Sequence, residues 1–135
     1  MNHPNLTRLT LYTGRIDEMV AFYTDHFGYS AWQEPGDRIV ELRPPGPGTI
    51  LQLHPRAKSQ KEGQVLVKLG FDVEDVPAFI AQSAAKGLKF GKPFKANGYV
   101  FANAKDPAKN SISITSRAYA PLALERIIPG TTPDA

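Results

Sequence analysis

Residues 9–29, LTLYTGRIDEMVAFYTDHFGY, hold a strand, a helix and a helix stop in succession, and residues 69–87, LGFDVEDVPAFIAQSAAKG, hold the same three. In the first stretch Leu9 and Leu11 alternate with Thr10 and Tyr12, the period of a half-buried strand. Ile16, Met19, Val20, Tyr23 and Phe27 then follow helical spacing, and Gly28 sits where a helix commonly ends. In the second, Leu69, Phe71 and Val73 alternate with Gly70 and Asp72. Asp75 can cap a helix with Pro77 in its first turn, and Val76, Phe79, Ile80 and Ala84 form the apolar stripe.

Working outward, each helix is followed by three short extended segments. After the first they fall at Ser30–Gln33, Arg38–Leu42 and Thr49–His54, punctuated by Pro35-Gly36 and the run Pro44–Gly48. After the second they fall at Leu88–Phe90, Tyr99–Ala102 and Ser111–Thr115, separated by Asn97-Gly98 and Asp106-Pro107. A shift of 60 places Leu9 on Leu69, Leu11 on Phe71 and Ile16 on Val76; a shift of 61 places Leu51 on Ile112 and Leu53 on Ile114. This internal repeat predicts an α+β fold: two βαβββ modules forming a cupped mixed sheet. The first module spans 1–57, a polar linker 58–64, the second module 65–117 and a tail 118–135. A module of ~60 residues buries too little surface alone, so the pair is expected to share one core.

The repeat resembles the vicinal oxygen chelate superfamily, which includes glyoxalase I, extradiol dioxygenases, fosfomycin resistance enzymes and bleomycin-binding proteins. Residues 9–29 resemble its first strand, helix and FYxxxLG segment. FDVEDVPAFIAQSAAKG at 71–87 resembles its second strand-to-helix crossing, and KDPAKNSISITS at 105–116 its final turn and strand. The resemblance covers about residues 6–117 and implies a glyoxalase/bleomycin resistance-like fold with a ligand cup between modules. Metal-binding members carry His, Glu or Gln on the first and last strands of each unit. The matching positions here are Arg8, Gln52, Lys68 and Ser113. Guanidinium and ammonium repel a divalent ion, and Gln52 alone is a plausible ligand, so no metal and no cofactor are expected. A displaced site would need His54, with Glu41 on the neighbouring strand; His3 and His26 lie in the terminus and on the first helix. The plainer reading of His54, followed by Pro55, is a partly exposed strand-end histidine.

Arg8 and Lys68 occupy equivalent repeat positions, and two readings stand for them. Either they replace the metal's charge and attract a carboxylate, phosphate or enolate-like ligand, or Arg8 pairs with Glu41 or Asp72 while Lys68 reaches to water. Thr10, Tyr12, Ser111 and Thr115 would add a polar lining. Trp32, Tyr99 and Phe101 would form aromatic walls for a planar molecule, or else fill core space or a subunit contact.

With these residues at the ligand positions, the resemblance implies a metal-independent small-molecule binder, as bleomycin-binding members are, with a lyase, isomerase or dioxygenase using relocated ligands as the alternative. In that alternative Tyr12 or Glu41 would carry the proton. No GxSxG, P-loop, GxGxxG or HExxH motif is present, Ser113 has no evident His partner, and catalytic residues are not identifiable. A cationic drug such as bleomycin would prefer a more acidic groove.

The formal net charge is +3, and the excess lies in residues 61–118, including Lys86, Lys89, Lys92 and Lys95. That footprint is weak for nucleic acid, and no apolar run approaches the ~20 residues a membrane helix needs. The absence of cysteine and of an apolar leader reads as cytoplasmic. By the resemblance, the tail residues Leu122, Leu124 and Ile127 would press on a neighbour in a homodimer; a frayed terminus is the equal alternative.

Overall fold

Strand β1 (Arg8–Thr13) leads into helix α1 (Ile16–Phe27) and then β2 (Ser30–Trp32), β3 (Val40–Arg43) and β4 (Ile50–Pro55). The order repeats as β5 (Lys68–Asp72), α2 (Val76–Ala85), β6 (Phe94–Lys95), β7 (Val100–Lys105) and β8 (Ser111–Thr115), with a 3-10 turn at Arg117–Tyr119. The computed structural model describes residues 6–96 and 98–120; His3, Asn97 and the tail residues Leu122, Leu124 and Ile127 lie outside them.

Helix α1 stops at Gly28 because the chain turns left-handed there (φ 70°), a conformation glycine adopts without a Cβ clash. The Gly28 and Tyr29 N–H groups donate back to the Thr24 and Tyr23 carbonyls, satisfying two otherwise orphaned acceptors. At the other helix, the Asp75 carboxylate accepts from the Ala78 N–H at 3.1 Å, as its place before Pro77 predicts.

Each module folds its strands into a four-stranded mixed sheet, ordered β1-β4-β3-β2 and β5-β8-β7-β6. Within each, first and last strands pair in parallel: Leu9 opposite Leu51, Leu69 opposite Ile112. These are the residues the repeat alignment superimposes, so the sequence shift and the strand register are one fact. One expected segment moves. Leu88 and Phe90 do not form a strand; Leu88 is buried, its N–H held by the Ser83 carbonyl, and Phe90 packs against the core. The ladder with β7 begins only after Pro93, at Phe94 opposite Phe101.

The apolar faces of both sheets turn toward the helices. Met19, Tyr23, Leu42, Leu53 and Ile112 are fully buried in a single cluster drawn from both modules. Phe27 at the end of α1 stacks on Phe71 of β5, ring centroids 3.9 Å apart. Helix α1 therefore serves both sheets, and the opposite, polar faces are left open.

Candidate functional site

Strand alternation assigns the open faces. On the first sheet, Arg8, Thr10 and Tyr12 of β1 share a face with Gln52 and His54 of β4, Glu41 and Arg43 of β3, and Trp32 of β2. The register runs Thr10–Gln52–Glu41–Trp32 across all four strands. The Thr10 hydroxyl donates to Gln52 Oε1 at 3.3 Å. Glu41, 9 % exposed, accepts from the Arg8 guanidinium and, at 3.0 Å, from Arg43 Nη2. Arg43 in turn lies 4.1 Å over the Trp32 ring. Tyr12 and His54 pack with centroids 5.1 Å apart, and His54 Nδ1 is 2.8 Å from the Pro55 carbonyl.

Of the two roles open to Arg8, the structure shows the ion pair with Glu41. The Arg8 hydrogen bond holds the Glu41 carboxyl below its usual range; partial burial opposes this, and Arg43 adds to the lowering. A carboxylate with a depressed pKa contributes stability that is complete above its unfolded-state value and is lost as pH falls through the folded-state value. Glu41→Gln is therefore expected to cost about 1 kcal/mol near neutrality, the half-exposed arginines limiting the effect. That deficit should vanish on the acid side of 4.5, the ordinary glutamate value. Melting curves of both proteins between neutral and strongly acidic pH check this; a deficit constant with pH would assign the effect to shape.

On the second sheet, Lys68, Gly70 and Asp72 of β5 share a face with Ser111, Ser113 and Thr115 of β8, and with Phe101, Asn103 and Lys105 of β7. One register row is Lys68–Ser111–Lys105; the next is Gly70–Ser113–Asn103. Lys105 Nζ donates to Ser111 Oγ at 2.8 Å and Lys68 Nζ to Asn103 Oδ1 at 3.1 Å. Ser113 is 5 % exposed. Phe94 and Phe101 stack at 5.3 Å, with Tyr99 at 6.3 Å from Phe101 under the Arg117 guanidinium. Among the described residues, neither Lys68 nor Lys105 has a carboxylate partner.

The expected site residues thus divide. Arg8, Thr10, Tyr12, Gln52 and Trp32 gather on the first sheet, and Lys68, Ser113, Phe101 and Tyr99 on or beside the second. No hydrogen bond or ion pair joins Arg8 to Lys68 among the described residues. Sequence reading missed Arg43, Asn103 and Lys105. The signal was alternation: Arg43 lies two residues from Glu41, and Asn103 and Lys105 lie two and four from Phe101.

The donor set does not fit a divalent ion. Gln52 is flanked by Thr10 and an arginine-bound Glu41, and the equivalent positions on the second sheet are Lys68 and Ser113. Among the described residues no three His, Asp or Glu side chains group closely enough to hold one.

Paired βαβββ units, each an α-helix and a four-stranded mixed sheet, define the fold class. The chain belongs to the Glyoxalase/Bleomycin resistance protein/Dioxygenase superfamily, whose family model matches residues 5–114. Among solved structures it is similar to TnmS3, an antibiotic binding protein from Streptomyces sp. CB03234, at 20 % identity and TM-score 0.71, covering 84 % of this chain and 96 % of that one. It is similar to UcmS2 at 20 % identity and TM-score 0.71, covering 85 % and 99 %. It is also similar to a lactoylglutathione lyase from Agrobacterium tumefaciens at 21 % identity and TM-score 0.65, covering 85 % and 95 %. No curated protein sequence matches it. At these identities the structural likenesses establish the fold. No helix among the described residues is long and apolar enough to cross a membrane.

Proposed function

We propose that this chain binds a small, planar, anionic molecule on its polar sheet faces and releases it unchanged, without a metal. The observation that carries the proposal is the row Lys68–Ser111–Lys105, with Ser113 and Asn103 in the next row: the Lys105 ammonium bonds Ser111, the Lys68 ammonium bonds Asn103, and among the described residues neither is paired with a carboxylate. A carboxylate or phosphate placed there gains two charge-assisted contacts. The Phe94–Phe101 stack and Tyr99 supply flat apolar surface further along the same face, Phe101 lying two rows away beside Thr115. Arg8 and Arg43 give the first sheet a net positive face only weakly, since Glu41 takes one of their two charges.

Calorimetric titration with 2-naphthoate and with its neutral analogue 2-naphthalenemethanol tests this. Naphthoate should bind, and binding should weaken with added salt as screened charge requires. Equal affinity for the neutral analogue would overturn the anion reading. Naphthoate binding that requires added Zn, Ni, Mn or Fe(II) would overturn the metal-independent one.

A further inference from the structure

Along β5 the open face of the second sheet carries Lys68, Gly70 and Asp72 in turn, and each begins a register row across the sheet. The row Lys68–Ser111–Lys105 stands at one end and the row Asp72–Thr115–Phe101 at the other. Four residues of strand separate them, about 13 Å. The face is therefore bipolar, with two ammonium groups at one end and a carboxylate at the other. Asp72 is exposed and joins no ion pair among the described residues. Lys68 bonds Asn103 instead, and Arg117, whose N–H bonds Thr115 in the Asp72 row, lays its guanidinium over the Tyr99 ring.

Between the two ends the surface is low. Gly70 presents no side chain, and nothing lies within 4 Å of where its Cβ would sit. Ser113 beside it is 5 % exposed. The Phe101 ring stands in the acidic row with Phe94 stacked on it, so the flat apolar surface belongs to the carboxylate end. A shift of 60 makes Tyr12 the counterpart of Asp72, and Tyr12 packs on His54, so the row that starts with a carboxylate on the second sheet is aromatic on the first. Charges on an edge strand commonly keep that edge solvated. What sets Lys68 and Asp72 apart is placement: opposite charges bound one shallow trough, and neither has a counter-ion among the described residues. A ligand with an anion alone would answer one end and leave the other carboxylate facing it, whereas a ligand charged oppositely at its two ends answers both. We propose that the ligand of this face is dipolar: a planar acid whose carboxylate or phosphate lies on the lysine row, whose ring lies toward Phe101, and whose far end carries an ammonium or amidinium group paired with Asp72.

A dipolar ligand presupposes the anion site on the lysine row, and calorimetric titration separates the two. The probes are 2-naphthoate and 6-(aminomethyl)-2-naphthoate, which share acid and ring and differ by the added ammonium. The aminomethyl compound should bind the parent about fivefold to tenfold more tightly. Asp72→Asn should erase that advantage while holding 2-naphthoate affinity within about threefold of the parent. Asp72→Lys should invert the preference. The dianion 2,6-naphthalenedicarboxylate should bind this variant about fivefold to tenfold more tightly than it binds the parent, a gain that a damaged fold cannot give. If 2-naphthoate binds but the ammonium adds nothing, or its advantage survives Asp72→Asn, the dipolar ligand is overturned and the anion site stands. If neither probe binds, the anion site and the dipolar ligand fall together.

Discussion

Asp106→Ala should be among the most destabilising single substitutions in the chain, lowering stability by about 3–5 kcal/mol and the melting midpoint by roughly 10–15 °C. Asp106 sits in the turn between β7 and β8 and is 4 % exposed. One carboxylate oxygen accepts from the Ala108 N–H and the Asn110 N–H, both at 2.9 Å. The other accepts from Asn110 Nδ2 at 2.8 Å and from the Tyr23 hydroxyl at 2.7 Å. Alanine strands all four donors, and the backbone pair cannot leave because Lys109 at φ 68° is fixed in the tight turn they close. Tyr23 comes from α1 in the other module and is itself fully buried. Burial drives its phenol pKa upward, and the adjacent Asp106 charge and hydrogen bond add to this, so the hydroxyl stays a donor through the alkaline range. Tyr23→Phe removes one of the four donors and should cost about 1–2 kcal/mol. In a double-mutant cycle the two losses should fall short of additive, because both delete the same bond. An Asp106→Ala protein melting within a few degrees of the parent would show that the turn is held by its backbone alone.

That turn also shows where reading the sequence reached its limit. Residues 105–116 were legible as a turn and a strand from composition and alternation, and the repeat fixed β1, α1, β5 and α2 through spacing and stop signals such as Gly28 and Asp75. These depend on neighbours within four residues. The bond from Tyr23 to Asp106 spans 83 positions and obeys no local rule. Leu88 and Phe90 look extended in isolation, yet the core claims them and β6 starts four residues later. For the candidate site, which face of β1 and β5 stays polar was legible. The choice of Glu41 over Asp72 as partner for Arg8 was not, because it rests on the β3–β4 register that sets Glu41 beside Gln52. Asn103 and Lys105 escaped because β7 runs three residues further than its apolar start suggested.

Lys105→Glu should abolish most of the binding of 2-naphthoate, weakening it by about tenfold to a hundredfold, the range spanned by losing one charge-assisted contact and gaining a repulsion. The geometry makes Lys105 the sharper probe of the two lysines. Its ammonium reaches Ser111 at 2.8 Å, in the row that Lys68 enters from β5, so a carboxylate at position 105 replaces one of the row's two cations with an anion. One substitution thereby leaves the row with no net formal charge. Position 105 is exposed at the end of its strand, and the fold has no other use for it among the described residues. The melting midpoint should therefore hold while affinity falls, and the salt dependence of whatever binding remains should flatten. The arginines on the first sheet provide the contrast. Arg8→Ala removes a charge that Glu41 already compensates, so it should change naphthoate affinity by about threefold at most. If Arg8→Ala cost more than Lys105→Glu, the anion would have to lie on the first sheet, with Glu41 displaced from its guanidinium on binding.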